Sequence, residues 1–205
     1  MIGFTLIKFF NNICFNDANG SVSVNLNGGT GTLTTLWNGP NNFSSNNEDI
    51  ANLNNGTYTL HIEDDYSCTK DTIFTIQEPD SLFAISSIQD VSCNLYSDGA
   101  INIIIQGGTA PYLVSWNSVL SDSTYIDSLT ADDYVYFIVD SNGCIYSDTV
   151  QVNEPEPLTL TDSIINVLCK GYHTGSIDLE ISGGTTPYTY FWSNLEVTQD
   201  LQDIP

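Results

Sequence analysis

Short runs of alternating apolar and polar residues fill the chain, and the same runs return at a nearly fixed spacing. Val22, Val24 and Leu26 alternate with Ser23, Asn25 and Asn27. Ile101, Ile103 and Ile105 alternate with Asn102, Ile104 and Gln106, and Ile177, Leu179 and Ile181 with Asp178, Glu180 and Ser182. A period of two with one apolar face predicts a half-buried strand. Each run ends in a glycine pair, Gly28-Gly29, Gly107-Gly108 or Gly183-Gly184, with Pro111 or Pro187 close behind in the later two. That composition predicts a turn. A second strand follows at Tyr112, Val114 and Trp116, and at Tyr188, Tyr190 and Trp192; Leu33, Thr35 and Trp37 are its weaker form. The register returns at Ile50 and Leu53, at Ile126 and Leu129, and at Leu201 and Ile204. Another strand is predicted through Tyr58, Leu60 and Ile62, matched by Tyr134, Tyr136 and Ile138. A last one ends at Phe74 and Ile76, or at Val150 and Val152. Helical periodicity never lasts more than a few residues.

From cysteine to tryptophan the copies align without a gap, at offsets of 79 and then 76 residues. A fixed period with fixed landmarks denotes tandem copies of one folded unit. The expected organisation is repeat 1 at 1–79, repeat 2 at 80–155 and an incomplete repeat 3 at 156–205, with Glu78-Pro79 and Glu154-Pro155 closing the first two. Six to seven short strands per unit predict an all-β chain of small antiparallel β-sandwiches of immunoglobulin-like type. The third copy lacks the later strands and the second cysteine, so it reads as interrupted, unless a strand from another chain completes it. The apolar opening Met1–Phe10 lines up with the strands that precede the other cysteines. It lacks the basic leading region and cleavage site of a signal peptide, so a first strand is expected.

The five cysteines are Cys14, Cys68, Cys93, Cys144 and Cys169. The repeat predicts one bridge per unit, Cys14–Cys68 and Cys93–Cys144, with Cys169 left unpaired because its partner would fall beyond the last residue. The alternatives are reduced buried thiols or metal ligands. There is no CxxC pair, and neither His61 nor His173 sits at metal-ligand spacing from a cysteine. Disulfides imply an oxidising, extracytoplasmic location.

Charge narrows the function. The 205 residues hold 3 Lys+Arg against 25 Asp+Glu, for a formal charge of −22. Nucleic acid and anionic membrane surfaces need cations, so both are set aside as partners. No apolar stretch is long enough to span a bilayer, and direct membrane insertion is not expected. With hydrophobic residues at 41%, the chain has enough apolar surface to fold.

Candidate chemistry is sparse. Trp37, Trp116 and Trp192 fall on the inward face, where core packing is favoured over sugar stacking. Phe137 and Phe191 fall on the opposite face and are the candidates for an exposed ligand contact. Acidic turns at Asp17, Asp98, Glu63-Asp64-Asp65 and Asp140 have the oxygens calcium prefers. Solvated turns are the preferred reading, and no cofactor is expected. No serine or cysteine nucleophile recurs beside His61 or His173, and no carboxylate pair stands out for glycoside hydrolysis. A non-enzymatic chain is expected.

Certain stretches resemble the SprB-type repeat of large cell-surface proteins of gliding Bacteroidetes. They are Cys169-Lys170-Gly171 with Thr174-Gly175-Ser176-Ile177, and Gly183-Gly184-Thr185-Thr186-Pro187-Tyr188-Thr189-Tyr190-Phe191-Trp192-Ser193-Asn194. Leu53–Leu60 in copy one and Val139–Cys144 in copy two add to it. The Gly-Thr-Tyr strand is also similar to polycystic-kidney-disease-type sandwich domains. Copy two departs with Asp132-Asp133, and copy one lacks the Pro-Tyr pair. The resemblance implies an extracellular repeat segment of a mobile adhesin, carried at the cell surface and supplying no catalytic residues. Its expected contacts are neighbouring repeats and polysaccharide or solid surfaces. A carbohydrate-binding accessory array of a secreted glycosidase and a pure structural spacer are the alternatives.

Overall fold

The computed structural model describes residues 1–117 and 122–205. Two compact units are distinguished. One comprises Met1–Ile85, Ile104–Ser115 and Tyr136–Asp148, the other Ser86–Ile103, Trp116–Val135 and Thr149–Pro205.

The strands of copy one are β1 (Ile2–Phe10), β2 (Gly20–Gly28), β3 (Leu33–Asn38), β4 (Ser44–Ser45), β5 (Ile50–Leu53), β6 (Gly56–Asp64) and β7 (Thr69–Ile76). They form two antiparallel sheets, β1-β2-β5 and β4-β3-β6-β7. Val22 and Val24 from the first sheet meet Trp37, Leu60, Ile62 and Ile76 from the second in one buried cluster. Seven strands in two facing sheets around a buried tryptophan make an immunoglobulin-like sandwich. Trp37 is fully buried, and its indole Nε1 donates to the Asn47 carbonyl at 3.0 Å. Phe74 packs beside it at 5.5 Å between ring centroids and stands edge-on to Phe4 at 5.9 Å. Burying such a side chain stabilises by about 2–3 kcal/mol, so this aromatic group is a large part of a small core.

A second sandwich signature comes from tyrosine. The buried Tyr58 hydroxyl donates to the Asn54 carbonyl at 3.1 Å, bracing the corner between β5 and β6. Tyr134 does the same to Thr130 at 3.0 Å. This is the tyrosine corner of immunoglobulin-like domains.

Copy two contains β8 (Phe83–Gln89), β9 (Gly99–Gln106), β10 (Leu113–Trp116), β11 (Tyr125–Leu129), β12 (Asp132–Val139) and β13 (Ile145–Val152). Their sheets, β8-β9-β11 and β10-β12-β13, repeat the order of copy one. Copy three contains β14 (Thr159–Ile165), β15 (Gly175–Ser182) and β16 (Leu201–Ile204), paired as one sheet.

Copy three departs from the sequence reading. Tyr188–Trp192 is not a strand, and Trp192 is only half-buried. The equivalent β3 is held along its length by β6, and no such strand lies beside Trp192 among the described residues. A strand needs a partner for its backbone groups, and alternation alone does not supply one. Trp192 still donates its Nε1 to Thr198 at 2.8 Å, so the local contact survives without the second sheet.

Candidate functional site

The recurring chemistry gathers in the loop carrying the first cysteine of each copy and the hairpin carrying the second. The first-cysteine loop follows the opening strand. In copy one it is pinned by a side chain just ahead of the glycine: Asn19 Oδ1 accepts from the Ile13 amide at 3.0 Å. Asp98 accepts from Ser92 at 2.9 Å and Thr174 from Leu168 at 3.4 Å in the other copies. The Asp98 carboxyl is held below its usual range by the Ser92 hydroxyl and amide. The closing Glu-Pro junction acts here too. Glu78 accepts from the Asn16 amide at 2.9 Å and Glu154 from the Leu95 amide at 2.7 Å. Asn16 and Leu95 both have positive φ, a conformation that costs a non-glycine residue energy, and these carboxylates help hold it.

The second-cysteine hairpin is an Asp-x-x-x-Cys turn built on a buried carboxylate. Asp64 Oδ1 accepts from the amides of Tyr66 and Cys68 at 3.0 and 2.9 Å, and Oδ2 from Thr30 at 3.0 Å. Asp140 repeats this with Asn142, Cys144 and Thr109, each at 2.9 Å. The Cys68 amide, followed by Thr30 and Tyr66, keeps the Asp64 carboxyl below its usual range. Both oxygens of each aspartate thus serve the backbone. Among the described residues no three His, Cys, Asp or Glu side chains gather as a metal site.

The bridges expected within each copy are not those formed. Cys14 is joined to Cys144 across a sequence separation of 130, and Cys68, Cys93 and Cys169 carry free, exposed thiols. The reason is the geometry of the sandwich. The Cys14 loop is tied to the far end of β7, where the Asn12 amide donates to Gln77. Cys68 opens β7 at the other end, beside the glycine turn, where Asp65 donates to Thr30. The strand between holds 8 residues, about 26 Å at 3.3 Å per residue, far beyond disulfide reach. Copy two has the same plan. Cys144 precedes β13, and the Cys93 loop is tied through Val91 to Asn153 beyond its far end. Cys169 carries a free thiol, as do Cys68 and Cys93.

The glycine turn completes the arrangement. Gly28, Gly107 and Gly183 have positive φ, and a Cβ at each would collide with the carbonyl oxygen of Met1, Ser81 or Pro157. Only glycine allows the opening strand of its copy so close. In copies two and three the tyrosine after a cis-proline donates back to that turn, Tyr112 to Gly107 at 2.7 Å and Tyr188 to Gly183. Leu33 stands at the aligned position in copy one.

The ligand candidates sit in different settings: Phe137 lies on β12, and Phe191 lies outside any strand. Phe137 is 41% exposed and Phe191 78% exposed. The position aligned with Phe137 in copy one is His61, whose Nδ1 lies 2.6 Å from Asp71 Oδ1. His61 faces Leu36 across β3 and β6. Both line an open cleft of about 530 Å³ with Thr34, Asn46, Glu48 and Glu63. Glu48 is engaged structurally, accepting from the Leu26 amide at 3.0 Å. Trp37 and Trp116 are buried, so neither offers a stacking platform. The tyrosine corners and the cross-copy bridge were missed in the sequence. A tyrosine four residues after Asn54 or Thr130 was the available signal for the corners.

Comparison with known proteins agrees with the repeat. The model of the SprB repeat matches three times, at residues 9–42, 85–120 and 161–197, together just over half the chain. No curated protein sequence matches. Among solved structures, the chain is similar to the crystal structure of Dpr11 IG1 bound to DIP-gamma IG+IG2. Identity there is 14% and the TM-score 0.32, covering 74% of this chain and 98% of that one. The fold assignment rests on the strand order described above.

Proposed function

We propose that this chain, which belongs to the SprB repeat family, is a segment of a cell-surface adhesin. In this reading it acts as a non-enzymatic, extended stalk outside the cell. Its modules follow the sequence repeat, with boundaries near Pro79 and Pro155, and each meets its neighbours in the array. Contact with polysaccharide or solid surfaces is weak per module and gains strength by repetition. The observation that carries this reading is the recurrence itself. The cysteine loop and glycine turn return in three copies and the buried tryptophan in two, whereas the residues on the outer face vary: His61 in copy one is Phe137 in copy two. A scaffold repeated with varied outer side chains suits presentation, and none of its repeated polar groups is placed as a nucleophile with a base. The charge of −22 is consistent with a soluble array whose copies repel one another.

Glycan-array binding by the whole chain tests the contact role. The reading expects measurable binding to some acidic-poor or neutral polysaccharides that weakens on Phe137→Ala, with the circular dichroism spectrum unchanged. Absence of binding to every glycan and to abiotic surfaces would leave the spacer reading in its place.

A further inference from the structure

We propose that Cys93 is the open half of an inter-copy disulfide, and that its partner is the Asp-x-x-x-Cys hairpin turn of a following copy. The closed form of the site is present in the same chain. Cys14 meets Cys144 in a small cavity of about 180 Å³ lined by Phe15, Asp80, Ser81, Leu82 and Gly108. The Cys93 site is built from the aligned positions: Asn94, Glu156, Pro157, Leu158 and Gly184. Backbone bonds match as well, Gly108 donating to Asp80 at 2.8 Å and Gly184 to Glu156 at 2.7 Å.

The two sites differ in what the hairpin brings. In the closed site Asn142 of the hairpin donates to the Ile13 carbonyl and to Thr109 Oγ1, both at 3.1 Å. At the open site the Ser92 carbonyl, aligned with that of Ile13, accepts from Thr185 Oγ1 at 3.3 Å. Thr185 aligns with Thr109, so the threonine is present and the hairpin is not. The cavity beside Cys93 is correspondingly larger, about 470 Å³. A rule follows: the first cysteine of one copy pairs with the second cysteine of the next. It accounts for all three free thiols, because none of Cys68, Cys93 and Cys169 has its partner position within the 205 residues.

Forming the bridge joins the Cys93 sulfur to the incoming sulfur and removes two protons and two electrons. The electrons pass to a disulfide oxidant, such as oxidised glutathione or a thiol–disulfide oxidoreductase, which leaves as two thiols.

The test extends the full chain by its own second copy. Ile204 faces Gly175 as Leu129 faces Gly99, so residues 131–155 can follow Pro205 in register. The extended chain is folded in a glutathione redox buffer and mapped by non-reducing peptide mass spectrometry. The expected result is loss of alkylation at Cys93 and a new peptide joining it to the introduced cysteine, with Cys68 and Cys169 still free. A bridge from the introduced cysteine to Cys169, or a free introduced cysteine in a folded chain, would overturn the proposal. If the extension fails to fold, Cys14→Ser in the unextended chain decides. The rule expects Cys144 to become a free thiol there, and a Cys93–Cys144 bridge in that variant refutes it.

Discussion

The Cys14 and Cys93 loops are built alike and end differently. Both are pinned by a side chain ahead of their glycine, Asn19 or Asp98, and both are held by the closing glutamate of their copy, Glu78 or Glu154. Cys14 is bridged and Cys93 is free. Loop shape is therefore local, fixed by residues of the same copy. The covalent bond belongs to the junction, where the hairpin of the next copy reaches the loop. The Cys14–Cys144 bond links two copies of the sequence repeat covalently, which a bridge within one copy would not do.

The largest break in this comparison should come from the bridge itself. Closing a separation of 130 residues removes about 5 kcal/mol of unfolded-chain entropy on the chain-entropy model. Cys14→Ser should lower stability by up to about that amount in denaturant unfolding, whereas Cys93→Ser should change it by less than about 0.5 kcal/mol. Equal losses from the two would mean that both cysteines are bonded.

A smaller effect should treat the loops identically. Glu78→Gln and Glu154→Gln each weaken one charge-assisted bond to a positive-φ residue, worth about 1 kcal/mol. Local amide exchange at Asn16 and Leu95 should rise to a similar extent in the two variants. A response at only one of them would show that the loops are not equivalent.

The smallest effect separates them by pH. Asp98 pins the Cys93 loop with a carboxylate held below its usual range by Ser92, and Asn19, which does not titrate, takes that place in the Cys14 loop. A lowered carboxyl contributes stability that is present above its unfolded value, near 3.8, and is lost as pH falls through the folded one. Protection of the Ser92 amide should therefore fall more steeply than that of Ile13 below about pH 4, and Asp98→Asn should remove the difference. Parallel curves in the parent chain would contradict the assignment.

Much of the fold was legible because strand alternation and turn glycines are local signals. Val22, Val24 and Leu26 read as a strand from their own spacing, and the Gly28-Gly29 turn from its composition. The inward role of Trp37 followed from the same alternation. Cysteine partners were not legible, since pairing depends on which ends of the sandwich meet. Counting residues between Cys14 and Cys68 says nothing of β7 holding them apart. Asp64 and Asp140 were visible as turn residues, but their three backbone donors come from two separate loops that only the fold assembles. Trp192 shows the converse: its strand pattern is present, and without a pairing partner it forms no strand.

The most direct measurement is a non-reducing peptide map of the unmodified chain after folding in an oxidising buffer. A single bridge joining the Cys14 and Cys144 peptides, with Cys68, Cys93 and Cys169 alkylated, is the predicted result. Peptides joining Cys14 to Cys68 and Cys93 to Cys144 would contradict the account and place the staples inside the modules.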